Sequence, residues 1–230
     1  AEVKTRLVDE EDWANNWKQY YKPLRISQRL TIKPTWETYE PEDREELIIE
    51  LDPGMAFGTG THPTTSLCLR TLEREVVPGE DVIDVGTGSG VLAIAAAKLG
   101  ARRVLALDLD PVAVSSATEN VRLNGLADRI EVVESDLLGV LRDADVNAER
   151  RRADLDSGVA RPDKRDGAAV RQLRELGIRL PVRLVVANIL AEIILLFIRD
   201  VYEVLQTGGI YIASGIFKNK EDEVERGLLE

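Results

Sequence analysis

The sequence of 230 residues predicts an α/β fold, a doubly wound and mostly parallel sheet with a small N-terminal entry segment. Two observations predict it. From residue 81 onward, apolar runs of strand length alternate with stretches of helix length. That rhythm belongs to parallel strands joined by crossover helices. Between the first such run and its helix stands Gly86-Thr87-Gly88-Ser89-Gly90. Glycines there permit positive φ, and the helix behind them offers free N–H groups.

The elements follow in order. Residues 9–21 read as a helix with acidic residues in its first turn. Trp13 and Trp17, four residues apart, share one face of it and pack the entry segment together with Trp36. Residues 24–34 read as two short strands around a polar turn, and 46–52 as a third. A helix over Thr64-Thr65-Ser66-Leu67-Cys68-Leu69 and onward follows, with Pro63 able to start it. Strands are then expected at 81–86, 102–110, 129–136 and 183–189. Helices lie between them at 89–100, closed by Gly100, and at 110–125, with Asp110 as N-cap and Pro111 in the first turn. A long apolar helix runs to about Leu205, and a fifth strand follows Thr207-Gly208-Gly209. Two units are expected: an entry segment over 1–50, and the sheet domain over 51–230 with an insertion at 142–183. That insertion holds 11 Lys and Arg against 8 Asp and Glu, a net +3 that leaves −14 on the rest of the chain. Such a stretch is too polar to bury and reads as a surface loop.

Composition excludes several classes. One cysteine and one histidine rule out an internal disulfide and a Cys/His metal cluster. Cys68 reads as a small buried hydrophobe. The net charge of −11 argues against non-specific nucleic-acid binding. It suits a basic partner or a cationic ligand. No apolar run is long enough to span a membrane, and no signal-peptide core opens the chain, so a cytoplasmic protein is expected.

The glycine turn discriminates among nucleotide-type ligands. A phosphate-binding P-loop needs a Lys after its last glycine, and none follows. A dinucleotide fold wants glycine at 91, where Val91 stands. S-adenosylmethionine (AdoMet) remains, with the acidic Asp84 ahead of Gly86 and Gly88. Asp108 closes the second strand 22 residues after Gly86, where a carboxylate accepts ribose hydroxyls. Asp136, after the third strand, is set to receive the adenine amino group. Asn188 ends the fourth strand, where its amide can meet a substrate amine or the methionine part of the cofactor; helix N-capping is its other role. The stretch 52–65, Asp52-Pro53-Gly54 through Thr65, holds three glycines, four threonines and His62. It is expected to fold over the carboxyl edge of the sheet, with Phe57 as an apolar contact. Thr64 and Thr65 would then offer hydroxyls to a carboxylate. His62 reads as a surface or capping residue.

These stretches together, with 82–101, 106–114 and 185–194, resemble the ribosomal protein L-eleven methyltransferases of the PrmA type. The entry segment resembles them too. The resemblance implies a Rossmann-like class I methyltransferase fold and AdoMet as cofactor, bound at Thr65, Gly86, Asp108 and Asn188. Phe57, Gly58, Thr59, Asp84, Gly88 and Asp136 complete the expected contacts. It implies methyl transfer to lysine and N-terminal amines of a large-subunit ribosomal protein, with Asn188 as the positioning group and no certain general base. The family's small N-terminal recognition domain is expected to precede this sequence, and its last strands to follow it. Three alternatives stay open: a methyltransferase on another protein, a small molecule or a nucleic acid; a non-catalytic AdoMet-binding fragment; and a nicotinamide dehydrogenase.

Overall fold

The computed structural model describes residues 21–52, 60, 62–135 and 177–229. The expected helix at 9–21, with Trp13 and Trp17, lies outside the described residues except for Tyr21. So does the greater part of the charged insertion.

The described chain builds two sheets. The smaller has the order β1–β2–β3, from Leu24–Arg25, Leu30–Pro34 and Leu47–Leu51. β1 turns back on β2, but β2 and β3 run parallel, Leu30 facing Leu47. The larger sheet holds β4 (Val82–Val85), β5 (Val104–Asp108), β6 (Ile130–Glu134), β7 (Val182–Asn188) and β8 (Leu205–Ser214). Its order is β6–β5–β4–β7–β8, with all four pairings parallel. The chain winds outward from β4 through β5 and β6, then returns to the other side of β4 for β7. That reversal opens a crevice at the carboxyl ends of β4 and β7.

Alternate residues of the central strands fill two cores. Val82, Val104, Ala106, Leu184 and Val186 face one side. There they meet helices α1 (Pro63–Glu75), α2 (Val91–Lys98) and α3 (Pro111–Leu123). Ile83, Val85, Leu105, Leu107, Val185 and Ala187 face the other, against Phe197, Val201 and Val204 of α4 (Ala191–Val204). Strands buried on both faces read as continuous apolar runs, which is why 81–86 and 183–189 were legible. The small sheet joins the first core: Ile26, Leu30, Ile32, Ile49 and Leu51 are buried within it.

Three local features differ from the sequence reading. Thr207-Gly208-Gly209 falls inside β8, where the four residues 206–209 lie opposite Arg183 alone of β7 and the register slips; Gly208 has φ +75° there. The last helix, α5 (Glu221–Leu229), packs Val224 against Ile194 of α4. Its acidic first turn, Glu221-Asp222-Glu223, complements the helix dipole. The end of the charged stretch is anchored rather than loose. Asp81 accepts the Arg179 N–H at 2.8 Å and pairs with Arg102, which also donates to the Gly177 carbonyl at 2.9 Å.

Glu46 holds the small sheet together. It is 7% exposed and accepts from the Thr31 hydroxyl, the Tyr39 hydroxyl at 2.7 Å and the Glu42 N–H at 2.7 Å. Burial pushes its carboxyl up, but these bonds outweigh burial and hold it below its ordinary value. Its contribution is therefore complete above the unfolded carboxyl's pKa, roughly 4.3, and disappears as pH falls through the lower folded value. Urea unfolding of Glu46→Gln at pH 7 is expected to show a loss of about 1–3 kcal/mol. The difference from wild type should shrink as both are titrated into acid.

Candidate functional site

The crevice is assembled from four strand or helix ends. At the tip of β4, Gly86 and Thr87 donate their N–H groups to the Leu107 carbonyl at 2.8 and 2.9 Å. The turn then closes with the Gly90 N–H on the Thr87 carbonyl at 2.9 Å. Gly86, Gly88 and Gly90 all have positive φ, at 70°, 56° and 82°. At two of them space also demands glycine. A Cβ on Gly86 would lie 2.3 Å from Ile189 Cγ2, and one on Gly90 3.2 Å from the Ala117 Cβ.

Asp108, at the end of β5, is fixed by this turn. Its Oδ2 accepts the Gly88 N–H at 2.8 Å and its Oδ1 accepts the Asp110 N–H at 3.0 Å. Capping of α3 falls to Asp110, whose Oδ1 takes the Val112 N–H at 2.9 Å. Asp108 is thus free of the capping role. It stays partly exposed at the carboxyl edge, each oxygen with a second lone pair.

Asp84 lies beneath the turn. It is wholly buried, and its Oδ2 accepts from the Thr87 hydroxyl at 2.6 Å and the Ala93 N–H at 3.1 Å. Its Oδ1 has no partner among the described residues. Burial pushes this carboxyl up to about 7, against the lowering effect of those two bonds.

Across the crevice, Asn188 at the end of β7 donates from Nδ2 to the Thr65 hydroxyl of α1 at 3.2 Å. Its Oδ1 is buried and unpartnered among the described residues. The N-capping role that the sequence allowed it belongs to Leu190, which makes no side-chain cap bond. His62 does cap a helix: it is the N-cap of α1, its Nδ1 accepting the Thr64 N–H at 3.3 Å. Cys68 sits inside, its thiol raised to about 11 by burial despite a bond to Ser214.

The structure therefore brings together Gly86, Gly88, Asp108 and Asp84 on one side, and Thr65 and Asn188 on the other. Phe57, Gly58, Thr59 and Asp136 lie outside the described residues. Of their segment, Gly60 is described: it is buried with φ +85°, and a Cβ there would lie 2.2 Å from Ile32 Cδ1. Sequence reasoning missed Thr87, Ile189 and Gly215. Ile189 is clasped between Gly86 and Gly215, where a Cβ would lie 2.5 Å from the Ile189 carbonyl oxygen. The glycine of Ser214-Gly215 was the available signal.

Two outcomes follow. Asp84 has a raised folded pKa, so it favours the fold below its unfolded value of roughly 3.9 and opposes it as pH rises toward 7. Ligand-free Asp84→Asn is expected to gain stability relative to wild type between pH 4 and pH 8, by an amount on the order of a few kcal/mol, in paired thermal melts. Replacing the cap, His62→Ala should cost about 1 kcal/mol, and His62→Asp should restore it.

Among the described residues, no group of three or more His, Cys, Asp and Glu could hold a metal, and no helix is long and apolar enough to cross a membrane. A family model described as ribosomal protein L11 methyltransferase (PrmA) matches residues 1–150 and 163–230. The ribosomal protein L11 methyltransferase of Anoxybacillus flavithermus is 51% identical over 96% of this chain, and that of Bacillus cereus 52% identical over 98%. The chain spans 59% and 61% of those two proteins. A crystal structure of a ribosomal protein L11 methylase from Lactobacillus delbrueckii subsp. bulgaricus aligns with a TM-score of 0.69 at 35% identity, over 91% of this chain and 88% of that one. The fold is thus that of the Rossmann-like class I methyltransferases, and with a family model matching nearly its whole length, the chain belongs to the ribosomal protein L11 methyltransferase (PrmA) family.

Proposed function

We propose that this chain binds AdoMet in the crevice between β4 and β7 and transfers methyl groups to amines of a large-subunit ribosomal protein, in the cytoplasm. Lysine side chains and the N-terminal amine are the expected acceptors. Residues 51–230 would carry this activity, with 1–50 as the entry segment. The observation that carries the reading is a pair of buried oxygens without partners among the described residues, Asp84 Oδ1 and Asn188 Oδ1, the two of four such side-chain oxygens that lie near the carboxyl ends of β4 and β7. They belong to adjacent strands that meet at the topological switch point. Buried acceptors left unmade are costly, so this crevice fits a ligand that carries N–H donors and positive charge. AdoMet has both. Asp108, held by Gly88, suits its ribose hydroxyls. Leu109 and Val112 beside it are 57% and 54% exposed and offer apolar surface to its adenine.

When bound, AdoMet supplies a methyl group already activated by its sulfonium. The protein's part is then positioning, which is worth about 7–11 kcal/mol in well-oriented systems. Thr65 fixes the Asn188 carboxamide through Nδ2, which leaves Oδ1 to accept an N–H and orient an amine. A lysine brought into this partly desolvated crevice loses its proton more readily, as the reaction requires. The acidic chain, at −11, suits a basic protein substrate.

Calorimetric titration with AdoMet is expected to show binding in the wild-type chain. Asp108→Ala should weaken it by about 10–100-fold, as loss of a charged acceptor does. No heat from a chain shown to be folded would remove the reading. Incubation with AdoMet and ribosomal protein L11 should then add methyl groups by mass spectrometry. Binding without transfer would identify a non-catalytic AdoMet-binding fragment instead.

A further inference from the structure

Asn120 lies in the interior of α3, a place to which asparagine is poorly suited, and Asn124 is the C-cap of the same helix one turn later. Both act as a substitute strand. β3 is an edge of its sheet, and its outward backbone groups meet these two amides. Asn124 accepts the Glu50 N–H at 3.0 Å and donates to the Glu50 carbonyl at 2.7 Å. Asn120 accepts the Asp52 N–H at 2.8 Å and donates to the Asp52 carbonyl at 3.3 Å. The second Nδ2 proton separates them. That of Asn124 goes to the Asn120 carbonyl of its own helix at 2.8 Å. That of Asn120 goes to the Ser89 carbonyl, inside the glycine turn, at 2.9 Å.

Asn120 is 1% exposed and uses both amide protons and its oxygen. It therefore ties three pieces of chain to one point: the end of β3, helix α3 and the turn at 88–90. The same turn aims the Gly88 N–H at Asp108. Ser89 is the residue between Gly88 and Gly90, both in left-handed backbone conformations. Glycine flanks leave a peptide free to rotate unless something holds its carbonyl.

We propose that Asn120 is a positioning residue of the cofactor site, holding the Ser89 carbonyl so that the turn keeps Asp108 oriented, and coupling that turn to the end of the small sheet. The inference rests on the reading of the crevice as an AdoMet site. Asn124 supplies the internal control, because it makes the same edge contacts without touching the turn. A role in docking the small sheet alone predicts that the two asparagines behave alike.

The test uses the full chain and AdoMet itself. Asn124→Ala is expected to lower the melting temperature yet bind AdoMet as wild type does. Asn120→Ala is expected to weaken binding about tenfold, within the roughly 5–150-fold span of ordinary coupling between sites. Asn120→Asp, which keeps the shape but turns a carboxylate oxygen toward two carbonyls, should lose at least as much. A second measurement needs no variant. Coupling is reciprocal, so AdoMet should slow hydrogen exchange at the Asp52 amide, bound to Asn120, more than at the Glu50 amide, bound to Asn124. Equal affinity in a folded Asn120→Ala protein, or equal response of the two amides, overturns the proposal. Should the Asn120 variants not fold, the exchange experiment decides alone. Failure of the site reading looks different: the wild-type chain itself would then give no AdoMet response, and the proposal would fall with it.

Discussion

A carboxylate buried beneath the glycine turn is the constraint on which the crevice depends. Asp84 sits in β4, the central strand, with Ala106 on one side in the sheet register and Val186 on the other. Nothing in those apolar neighbours can solvate it. Its partners must come from its own strand end, and they do: the Thr87 hydroxyl and the Ala93 N–H in the first turn of α2. Thr87 can bend back to Asp84 because Gly86 and Gly88 accept positive φ on either side of it. The reversal that serves Asp84 also turns the Gly88 N–H outward toward Asp108. One buried charge thus orders both the inner and the outer surface of the turn.

The opposite wall is set by exclusion of volume. Ile189 follows Asn188 directly, and its side chain fills the space that a Cβ on Gly86 would occupy. Its backbone occupies the space that a Cβ on Gly215 would need. Its N–H is taken by the Ser214 carbonyl at 3.1 Å. The tips of β4, β7 and β8 therefore close around one residue, and Asn188 inherits its direction from that packing as well as from Thr65. Close-packed interiors transmit such restraints because they have few voids to absorb a shift.

This division explains what the sequence could reveal. Strand and helix positions in the large sheet were legible because burial on both faces imposes continuous apolar runs, as in Val82–Val85 and Val182–Asn188. Asp110 and Pro111 announced α3 because capping is a local matter of two or three residues. Asp108 was legible by its place at a strand end. Features that join distant residues were not. The bond from Asn188 to Thr65 spans 123 positions and that from Asn120 to Asp52 spans 68; neither amide looks unusual in its own neighbourhood. The parallel pairing of β2 with β3 was hidden for a similar reason, since 24–34 and 46–52 are short and close in sequence, and a simple antiparallel meander fits them equally well. The slip in β8 was read as a break because Thr207-Gly208-Gly209 carries turn chemistry even inside a strand.

What remains is why the fold leaves Asp84 Oδ1 and Asn188 Oδ1 without partners among the described residues. Asp84 could have been asparagine, which avoids the burial of charge, and the raised carboxyl shows that the ligand-free fold bears that cost near neutral pH. Filling either oxygen with an internal donor would stabilise the chain and close the crevice chemically. On the proposed reading, the two open acceptors would favour a ligand that carries N–H groups, because one without them leaves both unmade. Sites built to hydrogen-bond a polar group reject analogues that lack it more strongly than apolar pockets reject a missing methylene. On the proposed reading of the crevice as an AdoMet site, the cost borne at the tips of β4 and β7 is the free energy that would make it selective. It sits on strand ends, where a bound ligand would gain the missing bonds without first ordering the backbone that supplies them.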